Sequence, residues 1–369
     1  MKKKILFVSN YPVNYRVDFY NELFRLFGHD CIRFAFVESG ERHVRAISVY
    51  EGEPFHACSQ VIDDVSMPKV LFKIARLLLQ FRPDVVVITG FPYYLLGMAV
   101  YRILTSCRFV IWWAGTAHSE CDRSLLRMIY RRFFSRLYSD GIFYSRLSLD
   151  YYQKISVNLQ RTYILGNNTR DSHKIYRAYK SDKTTLRPQR QQCALSFITV
   201  GFQNPSKNTM YLLEAARLVK DSALVFELVV IGDGEELPRL RAYASQHDLP
   251  VVFHGAKSPH ETLQLMSQAD VMIHPSLKDR SPQTYTEAIC LGLPVLISKS
   301  SGVDDAYVSR FADEVVFDPC DISDIAQKMR LLIESPALVS RLGDAALETA
   351  FQHDGLTGAK DVYDFLSGP

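Results

Sequence analysis

Short runs of β-branched and aromatic residues recur along the chain, separated by segments whose apolar positions have helical spacing. In the first half, apolar runs at 5–9, 32–37, 85–89, 109–113, 141–144 and 162–165 predict strands. Patterns near 15–27, 69–80, 93–104, 122–138 and 146–156 predict helices. Most of the runs are apolar at successive positions rather than alternating, which indicates parallel strands covered on both faces. Strand and helix repeating in this order give an open, doubly wound α/β sheet.

Between 177 and 192 the pattern dissolves into Lys, Arg, Asp, Thr, Gln and one Pro, as in a linker. A second wound series follows. Its strands are predicted at 196–201, 227–231, 251–253, 271–274, 294–297 and 314–317, with helical patterns near 207–219, 236–247, 259–268, 284–291, 321–334, 336–350 and 357–367. Two wound domains would leave a cleft between them. Ligands of open α/β sheets sit outside the carboxyl ends of the strands, so the loops just after strands are where chemistry is expected.

Composition narrows the function classes. The chain has 369 residues, 47% hydrophobic and 22% charged, which is ordinary for a globular protein of two domains. With 43 Lys and Arg against 40 Asp and Glu, the net charge of +3 does not point to nucleic acid. The 7 cysteines are scattered with no Cys-x-x-Cys, so neither a disulfide framework nor a zinc knuckle is indicated and a reducing cytosol fits. Lys2, Lys3 and Lys4 precede an apolar run that stops at Ser9, well short of the roughly 7–15 residues of a signal peptide's apolar region. The stretch 91–104 is broken by Arg102 and is too short for the roughly 20 residues of a membrane span. These features lead us to expect a cytoplasmic protein, with a peripheral position on the inner face of the cell membrane as a variant.

The most informative loop runs from His274, at a strand end, through Asp279, Arg280, Ser281, Pro282, Gln283 and Thr284 to Glu287, then Gly292-Leu-Pro-Val295. Pro282 signals a helix start near Thr284. Both carboxylates can face the cleft, and the helix N-terminus beside them offers free N–H groups to an anion. The stretch resembles the signature of retaining glycosyltransferases of family 4, which have the GT-B fold. Gly232-Asp-Gly234, Phe253-His-Gly255, Ala269-Asp270 and Ser301-Gly302 resemble further motifs of that family in order and spacing.

The resemblance implies two Rossmann-like domains. Residues 1–180 would form an acceptor-side domain and 181–350 a nucleotide-sugar-binding domain, with 351–369 a helix crossing back to the first. It implies that Asp279 holds hydroxyls of the donor sugar and that Glu287 binds the nucleotide ribose. Gly201 opens the loop after the first C-terminal strand, and Lys207 fits the family's lysine facing the donor diphosphate. Phe202 stands where many members have Arg, leaving Arg280, Arg16 or Lys278 as replacement cations. No Asp-x-Asp occurs, so no metal and no other cofactor is expected; Lys207 and a helix N-terminus would meet the leaving charge instead. Gly255 lies near the base.

The first half resembles the family more loosely. Arg16, after the first strand, points either into the cleft or into solvent. Ala114 occupies the family's usual His position, with His118 four residues on as either a site residue or a structural one. Phe91, Tyr93 and Tyr94 either line the acceptor side or pack a helix start. Asn168 sits where the family has an Asn at the lip of the linker. The segment 122–138 is a basic amphipathic helix, with Leu126, Ile129, Phe133 and Leu137 on one face and Arg123, Arg127, Arg131, Arg132 and Arg136 spread over another. Such a helix either lies on an anionic membrane or packs its apolar stripe on the sheet with its arginines in water.

The expected function is retaining transfer of a sugar from a nucleotide-sugar donor to a glycan or lipid-linked saccharide acceptor, in surface polysaccharide synthesis. The competing readings are a sugar phosphorylase or nucleotide-sugar epimerase of the same fold, and a two-domain sugar-binding protein without catalysis.

Overall fold

The computed structural model describes residues 2–10, 14–37, 52–62, 66–120, 124–156, 159–166, 170–179 and 195–368. Most of the 177–192 linker lies outside the described residues, as do Asn168, Asp122 and Arg123. The chain divides into two units, Met1–Asp171 with Asp354–Pro369, and Ser172–His353. The boundaries expected at 180/181 and 350/351 lie a short helix and a turn away from these. Helix Ser172–Tyr179 goes with the second unit because Ile175 enters its core and Ser172 Oγ donates to the Ala350 carbonyl at 2.9 Å.

The first unit is a seven-stranded parallel sheet: β1 (Ile5–Ser9), β2 (Ile32–Val37), β3 (Ser59–Ile62), β4 (Val85–Thr89), β5 (Arg108–Trp113), β6 (Asp140–Phe143) and β7 (Arg161–Ile164), in the order β3-β2-β1-β4-β5-β6-β7. Strand β3 is absent from the sequence-based expectation. It is an edge strand of four residues whose Ser59 and Gln60 break the apolar signal. One face of the sheet packs helices Met67–Phe81, Leu95–Leu104 and Leu125–Phe134 through Val70, Ile74, Leu95, Met98 and Phe134. The other packs helices Val17–Phe27 and Gly355–Ser367 through Phe19, Leu23, Ala359, Val362 and Leu366.

That last helix is fixed at its end by charge as well as burial. Arg108 donates to the Leu366 and Gly368 carbonyls at 2.8 and 2.9 Å, and Arg161 to that of Phe365 at 3.1 Å. Cations at a helix C-terminus satisfy carbonyls that have no partner within the helix and complement its dipole. Both arginines are held in turn by the buried Asp140.

The second unit is a six-stranded parallel sheet: β8 (Leu195–Val200), β9 (Phe226–Ile231), β10 (Val251–Gly255), β11 (Val271–His274), β12 (Val295–Ser298) and β13 (Val316–Phe317), ordered β10-β9-β8-β11-β12-β13. After β10 the chain crosses β8 to begin β11. The loops that leave β8 and β11 therefore diverge at a switch point, where such sheets open a binding crevice.

Candidate functional site

The loop after β8 is built before any charge is placed on it. Gln203 is buried; its Nε2 donates to the Gly201 and Ile231 carbonyls at 2.7 and 3.1 Å, and its Oε1 accepts from Thr209 at 2.7 Å. The turn after β9 presses against it. A Cβ at Gly232 would lie 1.9 Å from the Gly201 oxygen, and one at Gly234 2.3 Å from that of Gln203, so only glycine fits at either position. Asn204 caps the short 3-10 turn Pro205–Lys207, its Oδ1 accepting from Ser206 Oγ at 2.7 Å. Lys207 therefore sits in this turn and not in helix Thr209–Asp221, which begins two residues later.

The loop after β11 meets it there. Leu277 N–H donates to the Ser206 carbonyl at 2.9 Å. Lys207 Nζ lies 2.8 Å from Asp279 Oδ2, and His274 Nε2 lies 3.4 Å from the same oxygen. The second carboxylate oxygen accepts from Ser281 N–H at 3.2 Å. The Asp279 backbone is pinned as well, its carbonyl accepting from Gly302 at 2.9 Å. Burial opposes ionisation of Asp279, but His274 and Lys207 outweigh it and hold the carboxyl well below the usual carboxylate range. His274 is a site residue that the sequence reading did not single out. Its signal was there: a polar residue closing an apolar strand, five positions before Asp279.

Helix Gln283–Cys290 starts just beyond, with Pro282 as its N-cap. Glu287 is buried one turn in, and Gln283 and Thr284 are half-buried at the start. Beside the His274–Asp279 contact, three polar side-chain atoms on these loops are buried without a hydrogen bond: Ser276 Oγ, Gln283 Oε1 and Ser301 Oγ. Unspent donors and acceptors beside an ion pair are what a polyhydroxylated, anionic ligand would engage. Gly255 closes β10 with φ +68° and accepts from Gly232 N–H at 2.7 Å. Phe202, Lys278 and Arg280 are exposed.

These loops belong to a recognisable sequence. Residues 189–349 match the family model described as Glycosyl transferases group 1. Over that span the chain is similar to the group 1 glycosyl transferases. The chain is 28% identical over 147 residues to the sulfoquinovosyl transferase SQD2 of Arabidopsis thaliana, covering 38% of this chain and 28% of that one. It is 26% identical over 148 residues to the N,N'-diacetylbacillosaminyl-diphospho-undecaprenol alpha-1,3-N-acetylgalactosaminyltransferase of Campylobacter jejuni, covering 40% and 38%. The matches thus span from about a quarter to two fifths of these relatives. Among solved structures, Anabaena Alr3699/HepE in complex with UDP aligns over 99% of both chains with a TM-score of 0.78 at 17% identity. The fold is GT-B, with two Rossmann-like units.

Beyond the group 1 span, the first unit places its expected residues differently. Arg16 is 8% exposed and lies among aromatic rings instead of on a solvated face. His118 is exposed in the short helix Ala117–Glu120, and Ala114 is half-buried after β5. Phe91 and Tyr94 pack in the core, where Phe91 meets Trp113 edge-on at 5.5 Å; Tyr93 is partly exposed.

Helix Leu125–Phe134 is turned over relative to the packing expected for a soluble surface helix. Leu126, Ile129 and Phe133 are 79%, 65% and 65% exposed. Arg131, expected in water, is buried instead: its Nη2 lies 2.9 Å from Glu120 Oε2 and its guanidinium stacks 4.9 Å from the Trp113 ring. The Glu120 pair and the inward-facing Phe134 decide which side faces the sheet. The neighbouring helices of the same layer also expose large apolar side chains, Phe72 and Leu79 on one, Val100, Ile103 and Leu104 on the other. No helix among the described residues is long and apolar enough to cross a membrane.

Proposed function

We propose that this protein is a retaining glycosyltransferase that moves a sugar from a nucleotide-sugar donor to a glycan or lipid-linked saccharide in surface polysaccharide synthesis. The observation that carries this reading is the Lys207–Asp279 pair at the switch point of a group 1 transferase domain. Asp279, kept ionised, accepts hydrogen bonds from donor hydroxyls. Glu287 accepts from the ribose diol. Lys207 and the N–H groups at Gln283 and Thr284 meet charge growing on the departing diphosphate, a preorganised electrostatic role that needs no metal. Donor binding separates Lys207 from Asp279, and each then engages a different part of the donor.

Relatives supply the first substrates to try. The HepE structures hold UDP, UDP with glucose, and UDP-glucose. The Campylobacter relative is named for a diphospho-undecaprenol acceptor. A lipid-linked acceptor accords with the outward apolar side chains of helix Leu125–Phe134 and the exposed Arg127, Arg132 and Arg136. We assign these to contact with the anionic inner face of the cell membrane. A panel of nucleotide sugars, assayed for slow donor hydrolysis and then for transfer to a short polyprenyl-diphosphate saccharide, tests the reading. One donor should be hydrolysed and transferred; a chain that binds none of them is not a transferase.

A further inference from the structure

In the first unit a buried cation stands among donors, with no acid beside it among the described residues. Arg16 ends the turn after β1. Its Nη1 donates to Tyr20 Oη at 3.4 Å, and its Nη2 donates to Tyr144 Oη. The guanidinium lies 4.6 Å from the Trp112 ring centroid and 5.6 and 5.7 Å from those of Tyr15 and Tyr144. No carboxylate pairs with it among the described residues. A buried guanidinium without a counter-charge is costly, and stacking on rings offsets only part of that cost.

The surroundings hold further donors. Arg16 Nε and Trp112 Nε1 are both buried with no acceptor. The Tyr20 and Tyr144 hydroxyls spend a lone pair on Arg16, so each keeps its own O–H to donate elsewhere, and no acceptor for either appears among the described residues. That makes four N–H or O–H groups and one positive charge with no acceptor among the described residues. Trp112 lies near the carboxyl end of β5, Tyr144 directly follows β6, and Arg16 closes the turn that follows β1; open α/β folds take ligands at this edge of the sheet.

We propose that Arg16, Tyr20, Trp112 and Tyr144 form a phosphoryl-binding subsite of the first unit. A phosphoryl group supplies both the missing charge and several acceptor oxygens, and the planar guanidinium fork suits it better than an ammonium would. The group has two sources, the diphosphate of a nucleotide-sugar donor or that of a lipid-linked acceptor; naming these sources rests on the transferase reading, whereas the subsite does not.

Calorimetric titration of the full chain tests it. Inorganic pyrophosphate is titrated into Lys207→Ala, whose second-unit cation is removed, and into the same chain carrying Arg16→Gln or Tyr144→Phe. Arg16→Gln should weaken binding at least tenfold, and Tyr144→Phe, which removes one hydroxyl and keeps the charge, about threefold or more. Unfolding monitored by circular dichroism checks that each variant folds; if Arg16→Gln does not, Tyr144→Phe decides alone. Unchanged pyrophosphate affinity in a folded variant overturns the proposal. Repeating the titration with UDP and with farnesyl diphosphate identifies the source by which affinity falls. Pyrophosphate binding that needs Arg16 in a chain that transfers no sugar would sink the transferase reading and leave the subsite standing.

Discussion

Lys207 Nζ and Asp279 Oδ2 lie 2.8 Å apart, joined from loops that follow β8 and β11, with His274 Nε2 3.4 Å from the same oxygen. The pair holds one carboxylate ionised and one ammonium localised where a donor would need both. Its strength can be read through pH. The folded-state pKa of Asp279 is depressed, so its contribution to stability is present above the unfolded value, about 3.9, and is lost as pH falls through the lower folded value.

Lys207→Ala should therefore do two things. Turnover should fall by roughly 10²–10³, the usual cost of removing one preorganised charge partner from a leaving group. The loss of stability between pH 6 and pH 2 should also become smaller than in the parent, because Asp279 loses one of its cationic neighbours. Single-turnover kinetics and urea titration at the two pH values check both. Normal turnover would make Lys207 a surface residue.

Glu287→Ala should weaken the cognate nucleoside diphosphate by about 1.5–3 kcal/mol, the range for hydrogen bonds to a charged group. Glu287 lies one turn inside helix Gln283–Cys290, beyond its capping region, so the fold should survive. Calorimetry with the nucleoside diphosphate decides. An unchanged affinity removes the ribose role.

The sequence marked the candidate site of the second unit more fully than the surroundings of the first unit's residues, for a physical reason. Asp279, Lys207 and Glu287 lie in short local stretches, a strand end, a loop and a helix start, whose resemblance to the family can be seen within a dozen residues. The strands were readable because residues such as Val85 to Ile88 are apolar without interruption. Arg16 was not, because its surroundings are made by Trp112 and Tyr144, far along the chain. Helix Leu125–Phe134 shows the same limit. Its periodicity marks an apolar stripe but not which way the stripe faces, and the Arg131–Glu120 pair that turns it outward is a tertiary contact.

That inversion changes how membrane binding should be tested. Replacing Arg127, Arg132 and Arg136 by Gln should reduce sedimentation with anionic vesicles, at about 1 kcal/mol per basic residue near the surface, and less in high salt. Arg131 must stay: Arg131→Gln would break its buried ion pair with Glu120 and should destabilise the fold by about 3–5 kcal/mol. Leu126→Ser with Phe133→Ser should release the protein without altering its thermal midpoint downward. Equal vesicle binding by both sets and the parent would mean that the helix faces something other than lipid.

Activity should persist in EDTA. The proposed site meets the diphosphate with an ammonium and helix N–H groups. Complete loss on chelation, restored by magnesium or manganese, would show that the leaving charge is met by a metal instead.

The product should keep the anomeric configuration of the donor. Inversion requires a general base placed to deprotonate the acceptor on the face opposite the leaving group. In the loop after β5, the family's histidine position is Ala114, and His118 is exposed on the short helix Ala117–Glu120. Asp279 is a poor choice for that role, because in the proposed complex it is engaged by donor hydroxyls and, although burial opposes ionisation, His274 beside it lowers its carboxyl pKa. In the proposed retaining mechanism the departing phosphate oxygen would take the acceptor proton as attack proceeds on the face it leaves. That route asks the protein only for a rigidly held donor and a stabilised diphosphate, and Asp279, Glu287 and Lys207 would provide both. His118→Ala should then lower turnover less than tenfold. Proton NMR of the first-formed product reads the anomer directly. Inversion would reject this mechanism, and abolition of activity by His118→Ala would restore a side-chain base.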